Sequence, residues 1–262
     1  MLSIDQDLHI HTYLSACCKD KERQRPRSIL ELAERMRLRT VGFADHIWVN
    51  PGLQPSDWYR PQDETQTARL RADLSSVTTG VRVLVGCEAE MIAPGKIGLT
   101  PEYARQLDFV LLACSHLHMK DFVEQPASDA PRDVAKHLIR FFIAGVTSGI
   151  ATSIAHPFLP CGYMEQFDAV IAAIPDSEFL DAFGQAAGRG VGIEVTTGFL
   201  PAPGKNGFSL DTPVRFLSLA KRAGCRFTFA TDAHDPEAQK RLPELMQLVM
   251  AVGITEGDVL LI

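Results

Sequence analysis

The 262-residue chain has no apolar run approaching the roughly 18 residues that suggest a membrane span. Its first residues, MLSIDQDLHIHT, lack a basic segment followed by an apolar one, so no secretory leader is expected. Positive charge is not in excess: 26 Lys and Arg stand against 32 Asp and Glu, a formal net charge of −6. That balance argues against a general binder of long nucleic acid or membrane surface, which carries a basic patch. It leaves room for a small anionic ligand, because bound metal ions supply their own positive charge. Six cysteines (17, 18, 87, 114, 161 and 225) lack the spacing of a disulfide framework. Cys87, Cys114 and Cys225 fall in or beside apolar strand-like segments and read as reduced core residues, which points to the cytoplasm. Repeats, low-complexity tracts and charged linkers are also missing, so one domain over 1–262 is expected.

What is present is an alternation of short apolar runs and helix-length patterns. Runs at 4–10, 40–44, 81–87, 108–114, 152–155, 191–195 and 226–230 read as strands. Helical patterns at 28–38, 63–77, 132–148, 176–188, 213–223 and 236–252 follow them. Ser28, Asp63 and Asp211 suit helix starts, and Pro131 and Pro236 suit early helical positions. Gly149, Gly190 and Gly224 stand where helices should end. Seven strand runs interleaved with helical patterns predict an α/β fold with a parallel sheet, and the strand count favours a distorted, TIM-like (β/α)7 barrel.

Most of the eight histidines follow a strand. Asp7, His9 and His11 end the first run, Asp45 and His46 follow the second, and Glu88 and Glu90 follow the third. His116 and His118 follow the fourth, His156 the fifth, and Asp232 and His234 the last. In a parallel barrel those ends open on one face, where the active site lies. Residues two apart on a strand share a side, so His9 and His11 can share an ion. Imidazole and carboxylate donors suit zinc, manganese or iron, and carboxylates can bridge ions. His9, His11, His46, Glu88, His116, His156, Asp232 and His234 are the expected ligands, too many for one ion. Glu90 reads as a supporting contact, and His118 as ligand, support or substrate contact. His137, inside a helical pattern, reads as structural.

Taken in order, D-L-H-I-H-T at 7–12, A-D-H at 44–46, G-C-E at 86–88, C-S-H at 114–116, A-H-P at 155–157 and T-D-A-H at 231–234 resemble the polymerase and histidinol phosphatase (PHP) family of metal-dependent phosphoesterases. The resemblance implies a distorted (β/α)7 barrel with a trinuclear site. One ion would take His9, His11, Glu88 and Asp232; a second, Glu88 as bridge with His116 and His156. A third would take His46, His234 and a residue that is commonly His or Asp in the family. Here that residue matches Cys17, either as a thiolate ligand suited to zinc or iron or as an ordinary loop thiol, with Cys18 as a stand-in. A second departure is Leu200, which stands where histidinol-phosphate phosphatases of this type tend to carry a phosphate-binding arginine. Lys205, Arg60, Lys96 and Lys120 lie on loops at the same expected face, and Lys205, Arg60 and Lys120 are the candidates for substrate contact.

The function expected from these features is hydrolysis of a small phosphate ester by a hydroxide bridging two of two or three divalent ions. Asp232 would orient or deprotonate that nucleophile, and His234 or His118 would assist the leaving oxygen. Segment 47–61 carries Trp48, Trp58 and Tyr59 with prolines 51, 55 and 61, and reads as an aromatic cover for a ring-bearing substrate or as packing on the rim. The principal alternative is an amidohydrolase-like enzyme acting on a C–N, lactone or cyclic phosphate bond. Such enzymes usually add a mid-barrel lysine, whereas the third and fourth strand ends here carry Glu88 and His116. A nuclease and a non-enzymatic metal-binding module fit the acidic balance and the full ligand set less well.

Overall fold

The structure, a computed structural model, describes residues 2–201 and 207–262. Strands β1 (Gln6–Ile10), β2 (Thr40–Phe43) and β3 (Arg82–Val85) form one parallel sheet. Strand β4 (Cys87–Ala93) begins a second, in which β6 (Val110–Ala113), β7 (Ser153–Ala155), β8 (Gly192–Thr196) and β9 (Phe227–Ala230) follow in parallel order. The short β5 (Lys96–Ile97) folds back antiparallel on β4. The fold is therefore mixed α/β, built on parallel sheets.

Two features bring the sheets together. The amide of His11 donates to Ala233 O at 3.0 Å and that of Ala233 to His9 O at 3.2 Å, tying the end of β1 to the segment after β9. At the other side β3 runs into β4 through Gly86 alone. Leu8, Leu84, Leu111 and Ala155, from strands of both sheets, join Ala44 and Phe109 in one small apolar cluster. The larger core packs the helices against the outer strand faces, drawing on Ile29 and Leu30, Phe141 and Phe142, Phe179 and Phe183, and Phe216.

Helices α1 (Pro26–Arg35), α2 (Thr65–Leu74), α3 (Pro101–Ala104), α4 (Pro131–Thr147), α5 (Phe167–Ala172), α6 (Asp176–Arg189) and α7 (Asp211–Arg222) alternate with the strands, and α8 (Pro236–Gln239) and α9 (Met246–Val252) end the chain. Among the described residues no helix is long and apolar enough to cross a membrane. Two expectations need correction. The third strand is broken: β3 stops before Gly86, and β4 runs on to Ala93. The last helix is not continuous from 236 to 252, because Pro243 has no N–H for a helical ladder; a 3-10 turn at Leu242–Leu245 separates α8 from α9. The short helices α3 and α5 carry too few turns to show a periodic pattern.

Gly86 is at the break for a steric reason. A Cβ there would lie 2.5 Å from Phe109 O and 2.6 Å from the Phe109 ring. Gly86→Ala is expected to lower stability by about 1–3 kcal/mol through overpacking. Urea unfolding checks this, with a shifted midpoint and an unchanged slope as the expected result.

Candidate metal centre

The strands deliver their polar residues to one end. His9 lies next to last on β1 and His11 follows it; His46 follows β2; Glu88 and Glu90 lie on β4; His116 follows β6, His156 follows β7, and Asp232 and His234 follow β9. A register shift between Asp7 and Ile10 sets three steps of β1 against two of β2. Such a bulge re-aims side chains. Leu8 enters the small apolar cluster while His9 and His11 bring their Nε2 atoms within 3.1 Å of each other.

Glu88, fully buried, stands at the middle. Its Oε2 lies 3.3 Å from His9 Nε2, 3.4 Å from His11 Nε2 and 3.2 Å from His46 Nδ1. Its Oε1 lies 2.9 Å from His156 Nε2 and 3.6 Å from His116 Nε2. Asp232 Oδ1 is 3.2 Å from His11 Nε2 and 3.5 Å from His9 Nε2. An ion bound at about 2.0–2.2 Å holds tetrahedral ligand atoms roughly 3.3–3.6 Å apart, close to the spacing seen here. Three groups have ligand atoms within 4.8 Å of one another: His9, His11, Glu88 and Asp232; His11, Cys17 and His46; and His116, His156 and Cys161. His46 Nδ1, buried and facing Glu88, has no hydrogen-bond partner among the described residues. Donor types, spacing and this orphaned nitrogen fit divalent ions.

The outer ring nitrogens are held. Glu194 Oε1 accepts from His9 Nδ1 at 2.8 Å, and Glu90 Oε2 accepts from His116 Nδ1 at 2.7 Å and from the Tyr59 hydroxyl at 3.0 Å. His156 Nδ1 pairs with Ser115 Oγ at 2.9 Å, and His11 Nδ1 with Ser15 Oγ at 3.2 Å. A carboxylate only accepts, so His9 and His116 donate from Nδ1, which leaves Nε2 as the nitrogen that would face an ion. Carboxylates also brace the backbone. Asp7 accepts from the amide and hydroxyl of Thr231 at 3.0 and 2.7 Å, and Asp45 from those of Thr12, both at 2.6 Å. Glu194 Oε2 accepts from the His156 amide at 2.7 Å. These braces flank two left-handed residues, Asp232 (φ 54°) and His156 (φ 29°). Strained backbone of this kind costs on the order of 1–3 kcal/mol per residue and clusters at functional sites.

Charge at the centre is out of balance without a cation. Burial opposes protonation of His9, yet Glu194, Asp232 and Glu88 raise its pKa well above the ordinary value. His116, also against burial, is raised to about 9 by Glu90. Glu88, despite burial, is held well below the carboxylate range by His46 and His9. Burial would raise Cys17 too, but His11, with His234 and His46, lowers it to about 3, so it is a thiolate. The opposite holds for Cys161, whose thiol burial pushes up to about 12. His118 is lowered to about 4 by burial and by the neighbouring charges of His116 and His156.

The tightest group around Cys17 takes His11 in place of the expected His234, whose ring instead stacks on that of His11 at 4.5 Å. His118 belongs to none of the three close groups; its ring is 5.1 Å from that of His116. A cavity of about 640 Å³ opens over the centre, and His118, Lys120, Asp232 and His234 line it. Arg60 lies outside that lining, its guanidinium paired with Asp57 at 2.8 Å. Lys205 lies outside the described residues. Leu200 is buried and brings no charge.

No family model matches the chain, and no curated protein matches it in sequence. The fold is similar to that in a crystal structure of histidinol phosphate phosphatase from Lactococcus lactis subsp. lactis Il1403, complexed with zinc, L-histidinol and phosphate. The TM-score is 0.59 and the identity 15%, over 96% of this chain and 95% of that one. The likeness is one of fold.

The sequence did not show that Glu194 holds His9, or that Cys161 lies beside His116 and His156. Glu194 lies inside an apolar strand, where a lone carboxylate among apolar neighbours was the only signal. Cys161 comes five residues after His156 in HPFLPCG, a spacing that acquires meaning only when Pro157 and Pro160 turn the chain back. Replacing Glu194 with Gln keeps its shape but sets an amide N–H against the His9 or His156 donor. About 10–100-fold weaker zinc binding is expected, with the fold retained. Competition against a chromophoric chelator measures it.

Proposed function

We propose that the chain is a metal-dependent phosphoesterase that hydrolyses a small organic phosphate ester, a monoester before others. In this reading the two sheets are walls of one distorted (β/α)7 barrel domain spanning 1–262. The observation that carries the reading is the sharing of Glu88: three ligand groups meet around one buried carboxylate, whose two oxygens face different histidines. Such a cluster suits two or three ions, zinc or iron before manganese where Cys17 takes part. Bound there, divalent ions supply Lewis-acid charge for phosphate oxygens and lower the pKa of an attacking water.

The chain's own residues do the rest. Asp232, a third exposed and held ionised against its burial by His9, faces the cavity and orients or deprotonates the attacking water. In this reading His234, whose Nδ1 lies 3.9 Å from Asp232 Oδ1, protonates the leaving oxygen, with His118 as the other cavity-lining imidazole. Lys120 at the lining pairs with a phosphate oxygen, and Lys205 is the second cation proposed to meet substrate. Trp58, 38% exposed, meets His46 edge-on at 5.0 Å and forms an apolar wall beside the centre. That wall and a cavity within the usual 300–1,000 Å³ range favour an ester with a planar ring. The ligands of the similar crystal structure, L-histidinol and phosphate, are the two halves of such an ester, but with Leu200 uncharged the organic half is open to others.

Phosphate release by the zinc-loaded protein across aryl, alkyl and nucleoside phosphates tests the proposal. Release fastest from a ring-bearing monoester is the expected result. Cleavage of amides or lactones with no phosphate ester turned over would replace it with the amidohydrolase-like reading.

A further inference from the structure

We propose that Cys161 is a metal ligand: its thiolate joins His116, His156 and Glu88 to complete a two-histidine, one-cysteine, one-carboxylate site selective for zinc. The inference rests on the metal-dependent reading of the centre and adds a protein ligand to it. Cys161 Sγ and one nitrogen each of His116 and His156 lie within 4.8 Å of one another. Glu88 Oε1 faces the same two imidazoles at 2.9 and 3.6 Å. With the outer nitrogens of His116 and His156 engaged by Glu90 and Ser115, their inner nitrogens, which face Glu88 Oε1, are the ones left to take an ion. Four donors of these types make a closed tetrahedral set. His46 Nδ1, buried 3.2 Å from the other oxygen of Glu88 and without a hydrogen-bond partner among the described residues, marks the adjoining group as short of a cation.

The loop that carries Cys161 is built to hold it there. It leaves His156 in a left-handed turn, with Leu159 N–H donating to His156 O at 3.1 Å and Cys161 N–H to Leu159 O at 2.8 Å. Gly162 follows with φ +100°, and a Cβ there would lie 2.9 Å from His118 N and 3.0 Å from its Cα. Only glycine lets this loop press against the backbone of the loop after β6, and that contact brings Cys161 beside His116. A loop thiol without a role needs neither the close approach nor the convergence on two imidazoles. On binding, the thiol proton leaves to solvent, because a coordinating thiol is deprotonated. With Cys17 in the group of His11 and His46, thiolates then flank Glu88 on both sides, and manganese is the poorer fit at both.

Cobalt-substituted protein and zinc-edge X-ray absorption read sulfur ligation directly. In Cys17→Ser, the expected result is a remaining thiolate-to-cobalt absorption band and a sulfur shell at about 2.3 Å from zinc. In Cys17→Ser/Cys161→Ser both signals should vanish and one metal equivalent should be lost. If Cys17→Ser carries its metal without either sulfur signal, Cys161 is not a ligand, and the single variant is enough to show it. A wild-type chain that takes up no cobalt or zinc would overturn the metal-dependent reading itself, a different result from sulfur-free binding.

Discussion

Glu88→Gln is expected to leave a folded protein with little metal and almost no hydrolysis. The carboxylate is buried between five imidazoles, His9, His11 and His46 at one oxygen and His116 and His156 at the other. Glutamine keeps the volume but removes the charge and turns one acceptor into a donor facing ring nitrogens. A bridging ligand is lost from every group that touches it, so more than one ion should go. The loss in turnover should be at least roughly a hundred- to thousandfold, the scale of removing one preorganised electrostatic contact from an active site. Elemental analysis and phosphate release on the same sample check both halves. Unchanged metal content in this variant would contradict the bridging role.

Removing the ions should cost stability, and the cost should depend on pH in a definite direction. An ion at a thousandfold its Kd adds about 4 kcal/mol to the folded state. For a chain of this size that corresponds to roughly 8–16 °C in Tm for each ion bound. In the metal-free protein, His9 and His11 are raised well above their ordinary value and His116 is raised to about 9. A raised histidine stabilises fully below its unfolded value near 6.5, and that contribution fades as pH rises through the folded value. Cys17, lowered to about 3 from about 9, works the other way, its contribution growing toward pH 9. Three imidazoles outweigh one thiolate, so between pH 6.5 and 9 the metal-free fold should weaken. The metal-loaded fold holds its imidazoles neutral and escapes this loss, while protons compete less with ions as pH rises. The Tm gain on adding zinc should therefore widen from pH 6.5 to 9. A gain that narrows over that interval would contradict the charge balance assigned to the centre.

Much of this was legible in the chain, for a physical reason. Parallel strands buried on both faces give short apolar runs, so a histidine or carboxylate at the end of such a run stands out. His9, His11, His46, Glu88, His116, His156 and Asp232 were visible that way, and the structure brings them together around Glu88. Glu90, expected as a supporting contact, holds His116 and Tyr59. What the sequence hid depends on contacts distant in the chain. The break at Gly86 is imposed by Phe109, and the bulge in β1 by its pairing with β2. Glu194 reaches His9 across 185 positions, and no local pattern announces such a pairing. Cys161 is placed by a loop whose course depends on Gly162 packing against His118. Residues that meet through tertiary packing leave no period to read.

The central claim, hydrolysis that depends on a shared metal cluster, is tested most directly by titrating zinc into chelator-stripped protein while following phosphate release from an aryl phosphate. The expected result is no release at zero zinc and a rise that saturates at two to three equivalents per chain. Release by the stripped protein, or none from any phosphate ester at full zinc occupancy, would contradict it.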